Sequence, residues 1–206
     1  NVDLSQKQTF TFPKPTEFVE LPSKGKFYPE DHPLYERDSL EIRFMTARDE
    51  DTLSSQALLR KGLALDRLLQ DVIVDSDVKV QDLLVCDKNA LIIRARITGY
   101  GAEYVTSITC PACLSKVRYS FDLEDLEAVT PEEIEEAGYP ISTDGTFDVE
   151  LPKTGMTVTV KLLRGKDEKS FTAKPKRNSK VVDRTLTNQL KTIIVAIEGN
   201  KEKLAI

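Results

Sequence analysis

Cys110-Pro111-Ala112-Cys113 stands between two segments of strand character and constrains this chain's folding more than any other feature. Before it, Glu103 to Thr109 is rich in β-branched and aromatic residues; after it, Lys116 to Phe121 alternates polar with apolar. The pair therefore reads as the tip of a β-hairpin, where proline and a small residue suit a tight turn that aims two sulfurs at one point. Structural zinc takes a closed tetrahedron of four ligands, so this is half of a zinc ribbon. The only other cysteine is Cys86 and the only histidine is His32. Cys86 follows the apolar run Leu83-Leu84-Val85, where a small buried hydrophobe is the simpler reading. A zinc ion held within one chain is therefore not expected. Two readings stay open for Cys110 and Cys113: a zinc shared between copies, and a reduced, relict knuckle.

Residues 1–35 read as an extended arm. Pro13, Pro15, Pro22, Pro29 and Pro33 are interleaved with Phe10, Phe12, Phe18, Phe27 and Tyr28. Prolines remove backbone donors and disfavour helix, so the aromatic rings must be buried against something other than the arm itself. Phe10 and Phe12, alternating with threonines, would place two rings on one face of an added strand. Wrapping its own domain and docking on a partner are both open to the arm; Phe10, Phe12, Phe18, Phe27 and Tyr28 are its candidate partner contacts.

The chain's 206 residues and 40% hydrophobic content suffice for a packed core. An odd cysteine count, with neither a charged-then-apolar leader nor a long apolar span, predicts a soluble protein of a reducing cytoplasm and no membrane partner. A net charge of −5 argues against general nucleic-acid affinity.

Residues 36–125 read as a helical core carrying the Cys-Pro-X-Cys hairpin. Leu40 to Phe44 alternates as a strand, and Thr46 caps a helix whose first turn holds Asp49, Glu50 and Asp51. Ser54 to Val74 predicts one amphipathic helix, Val80 to Leu84 a helical turn, and Asp87 the cap of a helix over Lys88 to Thr98. Residues 126–206 open with an acidic helix between Thr130-Pro131 and Gly138. A second hairpin follows, from strands Thr146 to Leu151 and Met156 to Leu162. A basic run then includes Arg164, Lys166, Lys169, Lys174, Lys176, Arg177 and Lys180, and an apolar stripe predicts a buried helix over Val182 to Ile197. With little aromatic interleaving, the basic run suits an acidic protein patch better than nucleic acid, and Lys174, Lys176 and Arg177 are its candidate contacts. The fold class is α+β: amphipathic helices packed with two β-hairpins, preceded by the extended proline- and aromatic-rich arm.

Chemistry finds no constellation here. His32 lies between Asp31 and Pro33 in the arm, away from any nucleophile and base pattern, and no glycine-rich phosphate loop occurs. The chain therefore reads as a protein without catalysis and without a cofactor; a zinc-knuckle nucleic-acid-binding regulator is the alternative.

An ordered series of segments carries a family resemblance: Leu21-Pro22-Ser23-Lys24-Gly25-Lys26-Phe27-Tyr28, then Phe44-Met45-Thr46-Ala47-Arg48-Asp49-Glu50-Asp51, then Leu58-Leu59-Arg60-Lys61-Gly62, then the Cys-Pro-X-Cys hairpin. It resembles the baseplate hub protein family of T-even-type contractile-tailed bacteriophages over about residues 10–125. The resemblance implies a late viral protein that acts in tail baseplate hub assembly, as component or accessory factor. Its implied partners are other hub or tail proteins, and its places are the host cytoplasm during assembly and the virion tail. The family's cysteine pair maps onto Cys110 and Cys113; where a glycine often follows such a knuckle, this chain has Leu114.

Overall fold

The computed structural model describes residues 14–172 and 185–198. Phe10, Phe12, Lys174, Lys176 and Arg177 lie outside the described residues.

Strand β1 (Thr16–Glu20) pairs antiparallel with β2 (Ser39–Arg43), Val19 opposite Leu40. Val19, Leu40 and Ile42 turn inward, as the alternation of Leu40 to Phe44 predicts. Residues 14–35 are thus built into the body. The turns between β1 and β2 bury Leu21, Phe27, Tyr28 and Leu34 in the same cluster. This corrects the partner role expected of Phe27 and Tyr28, whose rings are taken up by the core. Gly25 sits at φ +71°, and a side chain there would strike the backbone of Leu34 and Arg37.

Helix α1 (Ala47–Ser54) starts after Thr46, as its cap pattern predicts. Asp49 closes a local network: its carboxylate accepts from Thr46 N and Oγ1, both at 2.7 Å, and from two Arg43 guanidinium nitrogens at 2.7 and 2.8 Å. The expected single helix over Ser54 to Val74 is instead two, α2 (Gln56–Lys61) and α3 (Ala64–Val72), with Ser54 itself ending α1. Ser54 Oγ bonds back to Glu50 O, offering the chain an alternative to further helix, and Gly62 ends α2 in the left-handed region at φ +66°. The two breaks let α3 turn Leu68, Leu69 and Val72 into the core while Leu59 and Leu65 stay exposed.

Helix α4 (Val85–Tyr100) begins earlier than its predicted start at Lys88. The expected helical turn over Val80 to Leu84 is a set of turns, and Leu84 is extended, bridged to Arg164. Asp87 is therefore not a cap; it lies inside the first turn, fully buried. Its Oδ1 accepts from Ser23 N at 2.9 Å, and its Oδ2 accepts from Ser23 Oγ and Tyr28 OH, each at 2.7 Å. Tyr28 OH in turn accepts from Leu84 N at 2.9 Å. Burial, reinforced by the Asp87 charge, pushes the Tyr28 phenol far above its ordinary range, so it stays a neutral donor.

Strands β3 (Glu103–Thr109) and β4 (Lys116–Asp122) form the predicted knuckle hairpin. A short 3₁₀ turn and the acidic helix α5 (Pro131–Glu136) follow, capped by Thr130 as proline at its first position suggests. Strands β5 (Thr146–Glu150) and β6 (Thr157–Lys161) form the second predicted hairpin, and α6 (Gly165–Thr172) packs near α4. The expected helix over Val182 to Ile197 is corrected: α7 (Thr185–Ile193) gives way to strand β7 (Ile194–Ile197), which extends the β5–β6 sheet. The β-branched run Ile193-Ile194-Val195 fits a pleated surface better than a helix, and β6 supplies the hydrogen-bonding edge. Leu186 and Leu190 of the expected buried stripe are exposed. Together these elements make an α+β fold of helices and small antiparallel sheets.

Lys88, nearly buried, ties three helices together. It pairs with Asp66 of α3 at 2.8 Å and Glu168 of α6 at 2.6 Å, and Lys169 reaches Asp66 at 2.9 Å. Burial works against the Lys88 ammonium, but the bonds to Asp66 and Glu168 outweigh it and hold its pKa above the usual lysine value.

Two predictions follow from these networks. Asp87→Ala leaves the buried donors of Ser23 and Tyr28 unpaired and is expected to cost about 3 kcal/mol in denaturant unfolding, with Tyr28→Phe costing about 1 kcal/mol; equal stability of all three proteins refutes this. The second concerns acid. Hydrogen bonds from Arg43, then Thr46, hold the Asp49 carboxyl well below its ordinary 3.8. A depressed folded pKa means stability that is complete above 3.8 and lost as pH falls through the lower folded value. Asp49→Asn should therefore destabilise the protein near neutral pH and show a smaller further loss between pH 4 and pH 2 than the unmodified chain in pH-resolved unfolding.

Candidate functional site

The hairpin β3–β4 is amphipathic, and among the described residues its apolar side is covered only at the root. Tyr104 stands opposite Phe121, Thr106 opposite Tyr119 and Ile108 opposite Val117, so period-two alternation puts all six on one face. The other face carries Glu103, Ser107, Lys116 and Arg118 among its residues. Ile108, Val117 and Tyr119 are each more than half exposed, at 51%, 54% and 53%. The aromatic rings support one another: Tyr104 and Phe121 lie 5.3 Å apart, Tyr119 and Phe121 5.9 Å. At the root, Arg96 of α4 lies over the rings of Tyr100 and Tyr104, at 4.7 and 6.0 Å. Tyr100 OH also donates to Glu50, fixing the end of α4 to α1. The hairpin is thus held at its base and uncovered along its length, and a contiguous apolar face in water marks a docking surface.

The tip is formed as a knuckle. Cys110 N donates to Ser115 O at 2.9 Å and Leu114 N donates to Cys110 O at 2.8 Å. Leu114 takes the conformation that glycine would adopt easily, at φ +57°, at a cost of about 1–2 kcal/mol. Cys113 Sγ lies 2.9 Å from Ser115 Oγ. Hydrogen bonds from the Ser115 hydroxyl and backbone, then from Cys110, hold the Cys113 thiol below its ordinary range. Among the described residues no group of three or more His, Cys, Asp or Glu side chains is gathered at one point.

The other soft donors are elsewhere. Cys86 lies in the first turn of α4, with the hairpin leaving from the last, about 20 Å along the helix axis. It was expected as a small buried hydrophobe, but it keeps an exposed edge; partial burial and the neighbouring Asp87 charge push its thiol up to about 12. His32 stacks on Tyr28 at 4.3 Å, and its Nδ1 accepts from Leu34 N at 3.1 Å.

A groove of about 1010 Å³ runs between the β1 side of the body and the segment that follows β4. Leu21, Phe27, Ile93, Ile97, Leu126 and Ile134 are among the apolar residues lining it. Arg94, on the groove wall, is paired with Glu17 at 2.8 Å, and Lys24 with Glu132 at 2.8 Å. Lys26 also reaches Glu132, at 2.6 Å, and these bonds bring the Glu132 carboxyl down to about 2. The acidic helix thus finds cations in the turns after β1.

Of the aromatic contacts expected of the arm, Phe18 is available: it is 71% exposed on β1. In the basic run, Lys169 holds Asp66, Lys166 lies 4.0 Å from Asp82, and the Arg164 guanidinium lies 5.7 Å from the Tyr28 ring centre. The hairpin's apolar face was missed from sequence, although its signal was present: Tyr104, Ile108, Val117, Tyr119 and Phe121 fall on one face once the two strands are placed in register.

A family model described as T4 bacteriophage base plate protein matches residues 14–147, more than half of the chain. The chain belongs to that family and is a baseplate protein of a T4-type phage. The match runs past residue 125, so the segment carrying α5 and the groove's far wall belongs to the family region as well. No curated protein and no solved structure matches the chain. Among the described residues no helix is long and apolar enough to cross a membrane.

Substitutions on a surface with no internal partner should leave folding intact. Ile108→Lys combined with Tyr119→Lys is expected to change unfolding free energy by less than about 0.5 kcal/mol while reducing binding of a hydrophobic dye. Loss of the cooperative transition would instead show that the face is covered by this chain.

Proposed function

We propose that the chain is a noncatalytic component or assembly factor of the tail baseplate hub, acting through contacts with other hub or tail proteins. It works in the host cytoplasm during assembly and, where it acts as a component, in the virion tail. Membership in the baseplate family sets the context. The observation that carries the reading is the uncovered apolar face of β3–β4, anchored at its root and projecting from the body. A docking partner would bury Ile108, Val117 and Tyr119 and gain apolar free energy that the isolated chain leaves unused. Phe18 offers a second exposed aromatic contact, and Phe10 and Phe12 precede it in the sequence. Lys174, Lys176 and Arg177 supply positive charge for an acidic protein patch.

Catalysis has little to work with. The only imidazole is stacked and has Nδ1 engaged, and the most perturbed carboxylate, Asp49, is committed to Arg43 and Thr46. The nucleic-acid alternative has no observation behind it, since Lys166 and Lys169 face carboxylates within this chain.

The test is association with the other baseplate proteins, by copurification from infected cells and by particle yield. Ile108→Lys with Tyr119→Lys should lower association at least tenfold and reduce yield. Reversal of Lys174, Lys176 and Arg177 to glutamate should slow association and flatten its salt dependence. Normal yield and unchanged copurification with both variants would refute the hub reading, and tight binding of DNA at physiological salt would replace it with the nucleic-acid one.

A further inference from the structure

We propose that Cys110 and Cys113 form half of a tetrathiolate zinc site that is completed by the same two residues of a second copy of this chain, joining the two hairpins tip to tip. The inference stands on the geometry of the knuckle and does not depend on the baseplate role.

The first support is the turn. A sulfur pair can chelate one ion only if the backbone bends both side chains to the same side, and here the turn is already formed by the two hydrogen bonds that link Cys110 to Leu114 and Ser115. Leu114 keeps the left-handed conformation although it is 76% exposed and so gains little from packing on the described residues. A strained, exposed leucine has no folding benefit in one chain, whereas strain is commonly retained where a ligand uses the geometry. The second support is Ser115, whose hydroxyl lies 2.9 Å from Cys113 Sγ. A donor at this distance orients a metal-bound thiolate from outside the coordination shell.

Completion in trans follows from the inventory. The chain has three cysteines and one histidine. Cys86 stands at the far end of α4, and His32 is engaged in the turns after β1. One copy therefore supplies two soft ligands at the tip, and zinc closes its shell with four. A two-fold axis through the ion satisfies this with one kind of surface, the most frequent arrangement for a homodimer. Leu114, exposed at the turn, gives each tip an apolar residue to bury against its mate. Lys116 and Arg118 flank the tip and offset the two negative charges of a zinc ion held by four thiolates. The chemistry involves no oxidation: each of the four thiols gives up one proton to solvent as its sulfur binds the ion.

The 206-residue chain, kept reduced, should be titrated with zinc alone and followed by sedimentation and elemental analysis. The expected result is a doubling of mass at one zinc per two chains, reversed by a chelator. Cobalt in place of zinc should give the visible bands of tetrahedral thiolate coordination. Cys110→Ser and Cys113→Ser should each abolish the mass change, and Cys86→Ser should leave it intact; because the tip is exposed, all three should keep the circular dichroism of the unmodified chain. Ser115→Ala should weaken zinc binding severalfold without loss of the dimer at saturating metal. A chain that stays monomeric with excess zinc overturns the proposal. So does one zinc per chain without association, or a zinc-dependent dimer that survives Cys110→Ser.

Discussion

The Asp87 carboxylate is the interaction on which the rest of the structure depends. It lies in the first turn of α4 yet bonds to Ser23 and Tyr28, more than fifty residues earlier in the chain. Through it, turns that contain three prolines and little regular structure of their own are fixed against the longest described helix. Tyr28 passes the constraint on by accepting from Leu84 N, so the start of α4 is set by the same group. A buried carboxylate is tolerable only when its oxygens are filled, and here three donors fill them. The apolar cluster of Leu21, Phe27, Leu34, Leu69 and Leu91 then closes around a polar centre that admits one arrangement of the chain.

With α4 fixed at its first turn, its last turn becomes a platform. Tyr100 is held to Glu50 of α1, Arg96 covers Tyr100 and Tyr104, and the hairpin leaves from this end. The consequence is a rigid root carrying a projecting element with one wet and one apolar face. An isolated two-stranded hairpin is marginal in water, so packing at its root and the cross-strand aromatic pairs must carry it. The hairpin and knuckle are the most exposed apolar part of this platform. The groove differs in kind: its walls come from the body and from the segment after β4, bridged at the rim by Lys24 and Glu132.

Local patterns told much of this in advance. Both hairpins, the strand before Thr46, the helix it starts and the proline-led acidic helix are where alternation, capping residues and turn residues put them. These features are governed by neighbours a few positions apart. The same reasoning failed where distant residues decide. Ser54 to Val74 has enough apolar positions for one helix, but the core takes up Leu68, Leu69 and Val72 in a direction that a straight helix would not present. Ile194 to Ile197 continues a helical stripe on paper, yet the free edge of β6 turns it into strand. Asp87 looks like a cap because its pairing with Ser23 and Tyr28 cannot be read from spacing.

What the sequence by itself determined is the set of short-range elements, the knuckle that joins Cys110 to Cys113 and the family to which the chain belongs. Each rests on backbone preferences, side-chain periodicity or an ordered series of segments, all written along the chain. Only the tertiary structure decided which aromatic residues are core and which are surface. Phe27 and Tyr28 went inside because Asp87 and Leu84 gave the Tyr28 hydroxyl its partners; Phe18, the immediate neighbour of buried Val19, stayed outside by strand alternation. The apolar face of β3–β4 was likewise settled by absence of cover from the described body, a property of how helices and sheets meet in space that no residue pattern along one strand can fix.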